Sequence, residues 1–319
     1  MSFTKGIPEI FYVSMLFIIV LNSCSINKIA MNNIADALSS SEGNTVFTGD
    51  NDPELVGDAL PFALKMYESF LTSLPHHYGL RLKTGSMYIM YANAFLQTPA
   101  EMLSNDESKK QKLLMKRSKN LYLRGRDILL PALEMRYPGF LKKLNEKRFD
   151  KALEPVNKED VPFLYWSSLG WLGAFAIDPL DMKLGLTISA AEALMHRAME
   201  LDEGFLNGAI HDFYILYYGS LPDYMGGDFQ KARTHFRKAL EFSKGKSTSA
   251  YISLATTVSI KQQNRKEFTE LLNKVLELNA DEIQDDRLVN ILNQRKARWL
   301  LNHVNDFFLV NDMKIDNDR

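Results

Sequence analysis

From Pro53 to the C terminus, apolar residues recur three and four positions apart, and runs that alternate apolar with polar are scarce. This spacing predicts an all-α fold and leaves strands without a place. Superimposing the helical stretches exposes a recurring unit. Its clearest copy is Gly227-Asp228-Phe229-Gln230-Lys231-Ala232, then Phe236, then Ala239-Leu240-Glu241. These spacings place Ala232, Phe236 and Ala239 on one helix face, where small residues admit a neighbouring helix and the aromatic fills the gap. The same grammar recurs as Ala191, Met195, Ala198 before Glu200, and as Phe268, Leu272, Val275 before Glu277. A degenerate copy is Gly125, Leu129, Ala132 before Glu134.

Partner helices precede these units. Trp166, Leu169 and Gly170 read W-x-x-L-G, and Gly85 with Tyr88 reads G-x-x-Y. Together they match the helix pair of a tetratricopeptide repeat. The spacings are stretched: Ala198 to Ala239 is 41 and Ala239 to Val275 is 36, against about 34 for the ideal repeat. Inserts account for the excess. Residues 220–226 and 178–186 lengthen the turns within pairs, while 98–111 and 142–160 form loops or short extra helices. Pro131 is expected to kink or break its helix. A last helix over about 286–309, with Trp299 on its apolar side, would cap the stack. The expected architecture is a TPR-like helical-repeat solenoid over 53–319, with inserts and a C-terminal capping helix.

In such repeats the first helix of each pair faces the concave surface. That register puts Leu164, Ser167, Trp171, Ala174 and Phe175 inside the curve, followed by Asn207, Ile210, Tyr214, Tyr217 and Tyr218 from the next pair. An earlier pair adds Leu82, Ser86, Ile89 and Met90. The lining is apolar and aromatic. Trp171, Phe175, Ile210, His211, Tyr214, Tyr217 and Tyr218 are the candidate ligand or partner groove. Two readings compete for them, packed core between helices and exposed lining; tyrosine suits a site with one dry end and one wet end. His211 carries the same ambiguity between helix packing and ligand contact.

Upstream of the helical body, the apolar run from Ile10 to Leu21 ends in Leu21-Asn22-Ser23-Cys24, and Cys24 is the only cysteine of the 319 residues. Lys5, the apolar run and the small Ser23 fit a secretory leader whose cleavage exposes a lipid-carrying cysteine. The expectation is a lipoprotein signal over 1–23, lipidation such as palmitate at Cys24, and a flexible tether over 24–52. The run is shorter than the ~20 residues of a spanning helix. An uncleaved anchor, or a plain signal with an incidental cysteine, is the alternative. Localisation follows as lipid-anchored in the periplasm, at the inner leaflet of the outer membrane.

Removing Lys5 and Glu9 with the leader from 38 cations and 39 anions leaves 37 against 38. That balance argues against nucleic acid as a partner. The local run Lys109-Lys110-Gln111-Lys112 and Lys116-Arg117-Ser118-Lys119 reads as a solvated helix face or as a patch for lipid headgroups. His76 and His77 follow Pro75 at a turn. No histidine sits in a metal-binding spacing, and no nucleophile elbow, Walker loop or dinucleotide glycine pattern occurs. The expectation is no metal, no cofactor and no enzyme.

Four segments carry a family resemblance: Asp160 to Trp166, Ala193 to Gly204, Gly226 to Glu241, and Arg298 to Leu301. Through them the chain resembles the TatT component family of TRAP transporters, periplasmic lipoproteins with tetratricopeptide-like repeats, over roughly 57–310. The resemblance implies a periplasmic substrate-binding protein as partner, feeding a membrane TRAP permease. It also implies a homotrimer with a cleft suited to a hydrophobic small molecule. A scaffold lipoprotein for outer-membrane or envelope assembly is the alternative that the repeats alone would allow.

Overall fold

The computed structural model describes residues 31–39 and 42–309. Among them every regular element is a helix, as the three-and-four spacing requires. Helix α1 covers 31–39, α2 Glu42–Thr48, α3 Pro53–Ser73, α4 Tyr78–Tyr91, α5 Thr98–Glu101, α6 Ser108–Arg136, α7 Phe140–Asn145 and α8 Phe149–Leu153. Then come α9 Val161–Ile177, α10 Met182–Leu201, α11 Phe205–Ser220, α12 Phe229–Phe242, α13 Thr248–Leu254, α14 Arg265–Glu277, α15 Arg287–Asn302 and α16 Val304–Phe307. Side-chain caps mark the starts of several of the longer helices. Asp181, Asp228, Ser247 and Asn264 each accept a backbone N–H from the first turn of α10, α12, α13 and α14, which satisfies donors the helix cannot.

Helices pair with their chain neighbours: α4 on α6, α9 on α10, α11 on α12, and α13 on α14. The small and large positions of the repeating unit are what these pairs bury. Ala191, Met195, Ala198, Ala232, Phe268, Leu272, Val275, Leu129 and Ala132 are 0% exposed and Ala239 is 1%, whereas Phe236 is half-buried. Glycines set the tightest crossing. A Cβ on Gly125 would stand 2.6 Å from the Gly85 carbonyl oxygen and one on Gly85 2.5 Å from Leu129, so α4 and α6 touch backbone to backbone. Helix α9 is apolar on nearly every side and packs against α4, α6, α10 and α11, so it lies at the centre of the largest core cluster.

The structure differs from the sequence expectations at three places. Helix α6 runs unbroken through Pro131, because its flanks are held by α4 and α9; packing outweighs one missing helical bond. Part of the segment read as a tether is helical: Ala35 is fully buried in the cluster formed by α3 and α4, and the Asp36 carboxylate lies 3.0 Å from His77 Nε2. The last helix is two, α15 and α16, separated at His303. The two ends of the fold also meet. Both guanidinium nitrogens of Arg295 reach the Glu54 carboxylate, Lys296 pairs with Glu101 at 2.7 Å, and Leu288 is buried among α3 residues.

Candidate functional site

Two regions concentrate the candidate residues. The first is the face between α11 and α12. Residues Leu206, Asn207 and Gly208 open α11 with positive φ angles of 46°, 56° and 90°, a conformation that side chains other than glycine adopt only under constraint. A Cβ on Gly208 would stand 2.8 Å from Phe242 Cβ. The twisted entry aims His211 and Tyr214 at α12. His211 Nδ1 lies 2.9 Å from His235 Nδ1, so one of the two rings donates, and the Tyr214 ring stacks on His235 at 4.6 Å. Tyr218 stacks on Tyr214 at 5.6 Å, and Phe242 covers His211 at 5.4 Å.

Burial governs the electrostatics of this face. It pushes both histidines down to about 4, so they are neutral at pH 7. Burial also raises the Tyr214 phenol and brings Tyr217 up to about 12, with the Glu192 carboxylate adding to both. The Asp212 carboxyl is pushed up to about 7 by burial, against the lowering effect of the Ser247 hydroxyl bond at 3.1 Å. Among the described residues His211 Nε2, Asp212 Oδ1 and Tyr214 Oη have no hydrogen-bond partner. They are the groups here that an added donor or acceptor would satisfy.

The second region is a cleft of about 410 Å³ lined by α6, α7, α9 and α10. Trp171 forms one wall. Its Nε1 donates to Thr187 Oγ1 at 3.0 Å, and the Arg126 guanidinium sits 4.6 Å above its ring. Leu130, Leu141 and Leu184 supply the rest of an apolar surface, with Asn145 and Lys183 at its edge. Pro131 also lines the cleft. It has no N–H to offer the Asp127 carbonyl four residues back.

Of the residues expected at a groove, Trp171 lines this cleft. Phe175 is 5% exposed, Ile210 and His211 0%, Tyr214 1% and Tyr217 9%, and Tyr218 is half-buried. Cys24 lies outside the described residues. Sequence reasoning missed His235 as the partner of His211, although it lies on the same helix as Ala232 and Ala239. It also missed Arg126, which belongs to no motif. Among the described residues no group of three metal-ligating side chains converges and no helix is long and apolar enough to cross a membrane.

Comparisons with known proteins bear on the chain as a whole. An uncharacterized protein of Treponema pallidum (strain Nichols) is 36% identical over 301 residues, 90% of this chain and 93% of its own. The family described as "TRAP transporter T-component" matches residues 49–308, which takes in both the aromatic face and the Trp171 cleft. The chain therefore belongs to the TRAP transporter T-component family and is an accessory component of such a transporter.

Proposed function

We propose that this T-component is a periplasmic lipoprotein, held to the inner leaflet of the outer membrane through Cys24. In this reading it binds the substrate-binding protein of its TRAP system and handles a hydrophobic ligand. Its stacked helix pairs act as a TPR-like solenoid, which the chain-order pairing and the buried small residues of α6, α10, α12 and α14 support. The observation that carries the ligand reading is the Trp171 cleft, an open recess in which Leu130, Pro131, Leu141 and Leu184 with Trp171 face Arg126, Asp127, Asn145, Lys183 and Thr187, so that apolar surface and orienting polar groups meet at one place. The tyrosines of α11 would act behind it, on the partner or on the ligand.

One observation favours the alternative of a scaffold in envelope assembly: Ile210, His211 and Tyr214 are closed off from solvent, so they hold helices together. Co-purification from membranes separates the readings. Under the transport reading the intact chain retains a TRAP substrate-binding protein and an apolar compound visible by mass spectrometry; Trp171→Ala loses the compound together with the roughly 3–5 kcal/mol that truncating a buried aromatic costs, whereas Lys183→Ala, exposed at the cleft, weakens retention with the melting temperature unchanged. Recovery of envelope-assembly proteins with no TRAP component would refute it. Replacing Tyr214 and Tyr218 by Ser separates groove from core: a core role costs roughly 2–5 kcal/mol each, whereas a groove role costs binding.

A further inference from the structure

The turn between α9 and α10 presents three aliphatic side chains to solvent. Leu180 is 90% exposed, Met182 79% and Leu186 65%. Met182 and Leu186 share a face of α10, one turn apart, while Leu184 between them points inward at 6% exposure. Helix packing therefore does not require the exposed set, and water disfavours it. The tip is also held rigidly. Lys119 on α6 donates to Asp178 at 2.7 Å and to Asp181 at 2.8 Å, one carboxylate at each side of the turn. Asp181 in addition caps α10 through the Lys183 N–H at 2.9 Å.

That same fork places the tip beside the basic half of α6. Lys112, Lys116 and Arg117 are exposed there, and among the described residues none pairs with a carboxylate. Leu113, 60% exposed, stands among them. Elsewhere in the chain exposed helix cations meet acids one turn away in places, as Lys65–Glu68 and Lys274–Glu277 do. Here the nearby acids are already engaged: Glu107 takes Lys110, and Asp178 and Asp181 take Lys119.

We propose that this face docks on an anionic phospholipid surface, with Leu180 and Met182 entering the headgroup layer and the α6 cations meeting phosphate oxygens. Unpaired cations around exposed aliphatics complement negative headgroups over an acyl boundary. At about 1.5 Å per residue, the 29 residues of α6 extend about 43 Å. The patch lies at the start of α6, whereas α1 joins the fold at the other end, through Asp36 on His77 and His76 on Met135. Taken with the Cys24 anchor of the proposed function, on which this orientation alone rests, attachment ahead of α1 and contact at the patch would lay α6 along the bilayer rather than stand it on end.

The test uses the mature chain, from which the apolar run of residues 1–23 has been removed, with Cys24→Ser and Leu180→Cys, so that residue 180 carries the only thiol and a polarity-sensitive fluorophore. Vesicles are of phosphatidylcholine alone or with roughly one quarter phosphatidylglycerol. Leu206→Cys, exposed at the start of α11 beyond the far end of α10, is the control label. The expected result is a blue-shifted label at 180, quenched by brominated lipid, on the anionic vesicles only, with the label at 206 unchanged. High salt reverses the shift, and each cation removed weakens it roughly fivefold, so Lys112→Gln with Lys116→Gln lowers docking roughly 25-fold while the helical circular dichroism stays as it was. Equal spectra on both vesicle types, or an anionic-lipid response that survives the double substitution, overturns the proposal. So does a blue shift that rises with protein concentration without vesicles, which would assign the face to a second copy of the chain.

Discussion

Asp160 is the residue whose loss the structure makes most costly. It is 0% exposed and stands just ahead of α9, yet its carboxylate takes bonds from three elements. Tyr78 Oη at the start of α4 donates at 2.5 Å, Tyr137 Oη after α6 at 2.6 Å, and Arg136 Nη1 at 3.0 Å. The backbone N–H of Asn157 supplies a fourth bond at 3.1 Å. One side chain thus fixes the ends of the three helices that surround the largest core. Breaking a buried charge pair costs about 3–5 kcal/mol when the partner is stranded. Arg136 is not fully stranded: its side chain is 33% exposed and keeps Glu159 at 2.7 Å. The low end of the range is therefore expected for Asp160→Ala, about 3–4 kcal/mol. Asp160→Asn keeps the shape and one acceptor oxygen but turns an N–H₂ toward a donor, which costs about 2 kcal/mol. Urea midpoints of the three proteins give the ranking. A second readout is specific to the bond: the Tyr137 phenol, held up at about 12 by burial and then by Asp160, should titrate lower in Asp160→Ala. If Asp160→Ala lies within about 0.5 kcal/mol of the parent, a surface-like value, the hub reasoning is wrong.

Two further outcomes follow from packing and charge. Gly125→Ala places a methyl 2.6 Å from the Gly85 carbonyl oxygen, which is backbone and cannot swing aside, so α4 and α6 must part at a cost of about 1–3 kcal/mol; an unchanged thermal midpoint would contradict the close crossing. Acid stability is the other outcome. His211 and His235 titrate near 4 in the fold against about 6.5 unfolded, so their stabilising effect is complete above about 6.5 and is lost as pH falls toward 4. Asp212, raised to about 7, acts oppositely: its contribution is present below the unfolded value near 3.9 and is lost as pH rises through 7. Asp212→Asn removes the opposing group, so stability should climb with pH between about 4 and 6.5 more steeply than in the parent, by about 1.4 kcal/mol per pH unit. Melts over that range check it, and parallel slopes would refute the assignment of Asp212.

The helix pairs were legible because their signal is periodic and local. Ala191 with Met195 and Ala198, or Phe268 with Leu272 and Val275, announce a close neighbour by size alternation alone, and they are the residues that α10 and α14 bury. Pro131 misled for the converse reason: a local rule about one missing bond cannot weigh the two helices that clamp α6. The segment before Pro53 shows the same limit, since Ser, Asn and Gly composition says nothing of a single Ala35 inserted under α3.

The aromatic face shows where sequence reading of a site stops. Counting positions on α11 gives the faces of the helix but not what stands opposite each face. Tyr214 meets His235 on α12, and His211 meets both His235 and Phe242, a pairing fixed by the left-handed entry at Leu206, Asn207 and Gly208 that turns α11 against its neighbour. Asparagine and glycine tolerate positive φ, but no propensity would place Leu206 there. Trp171 is held at a cleft by contacts equally remote in sequence, Arg126 from α6 and Thr187 from α10. The chemistry of both regions depends on which residue lies across an interface, and that is decided by helix crossings of which single residues such as Gly85, Gly125 and Gly208 are the geometric condition. A change at these glycines would therefore shift which residues face one another across the crossings without altering any of those residues, and it would lower stability at the same time.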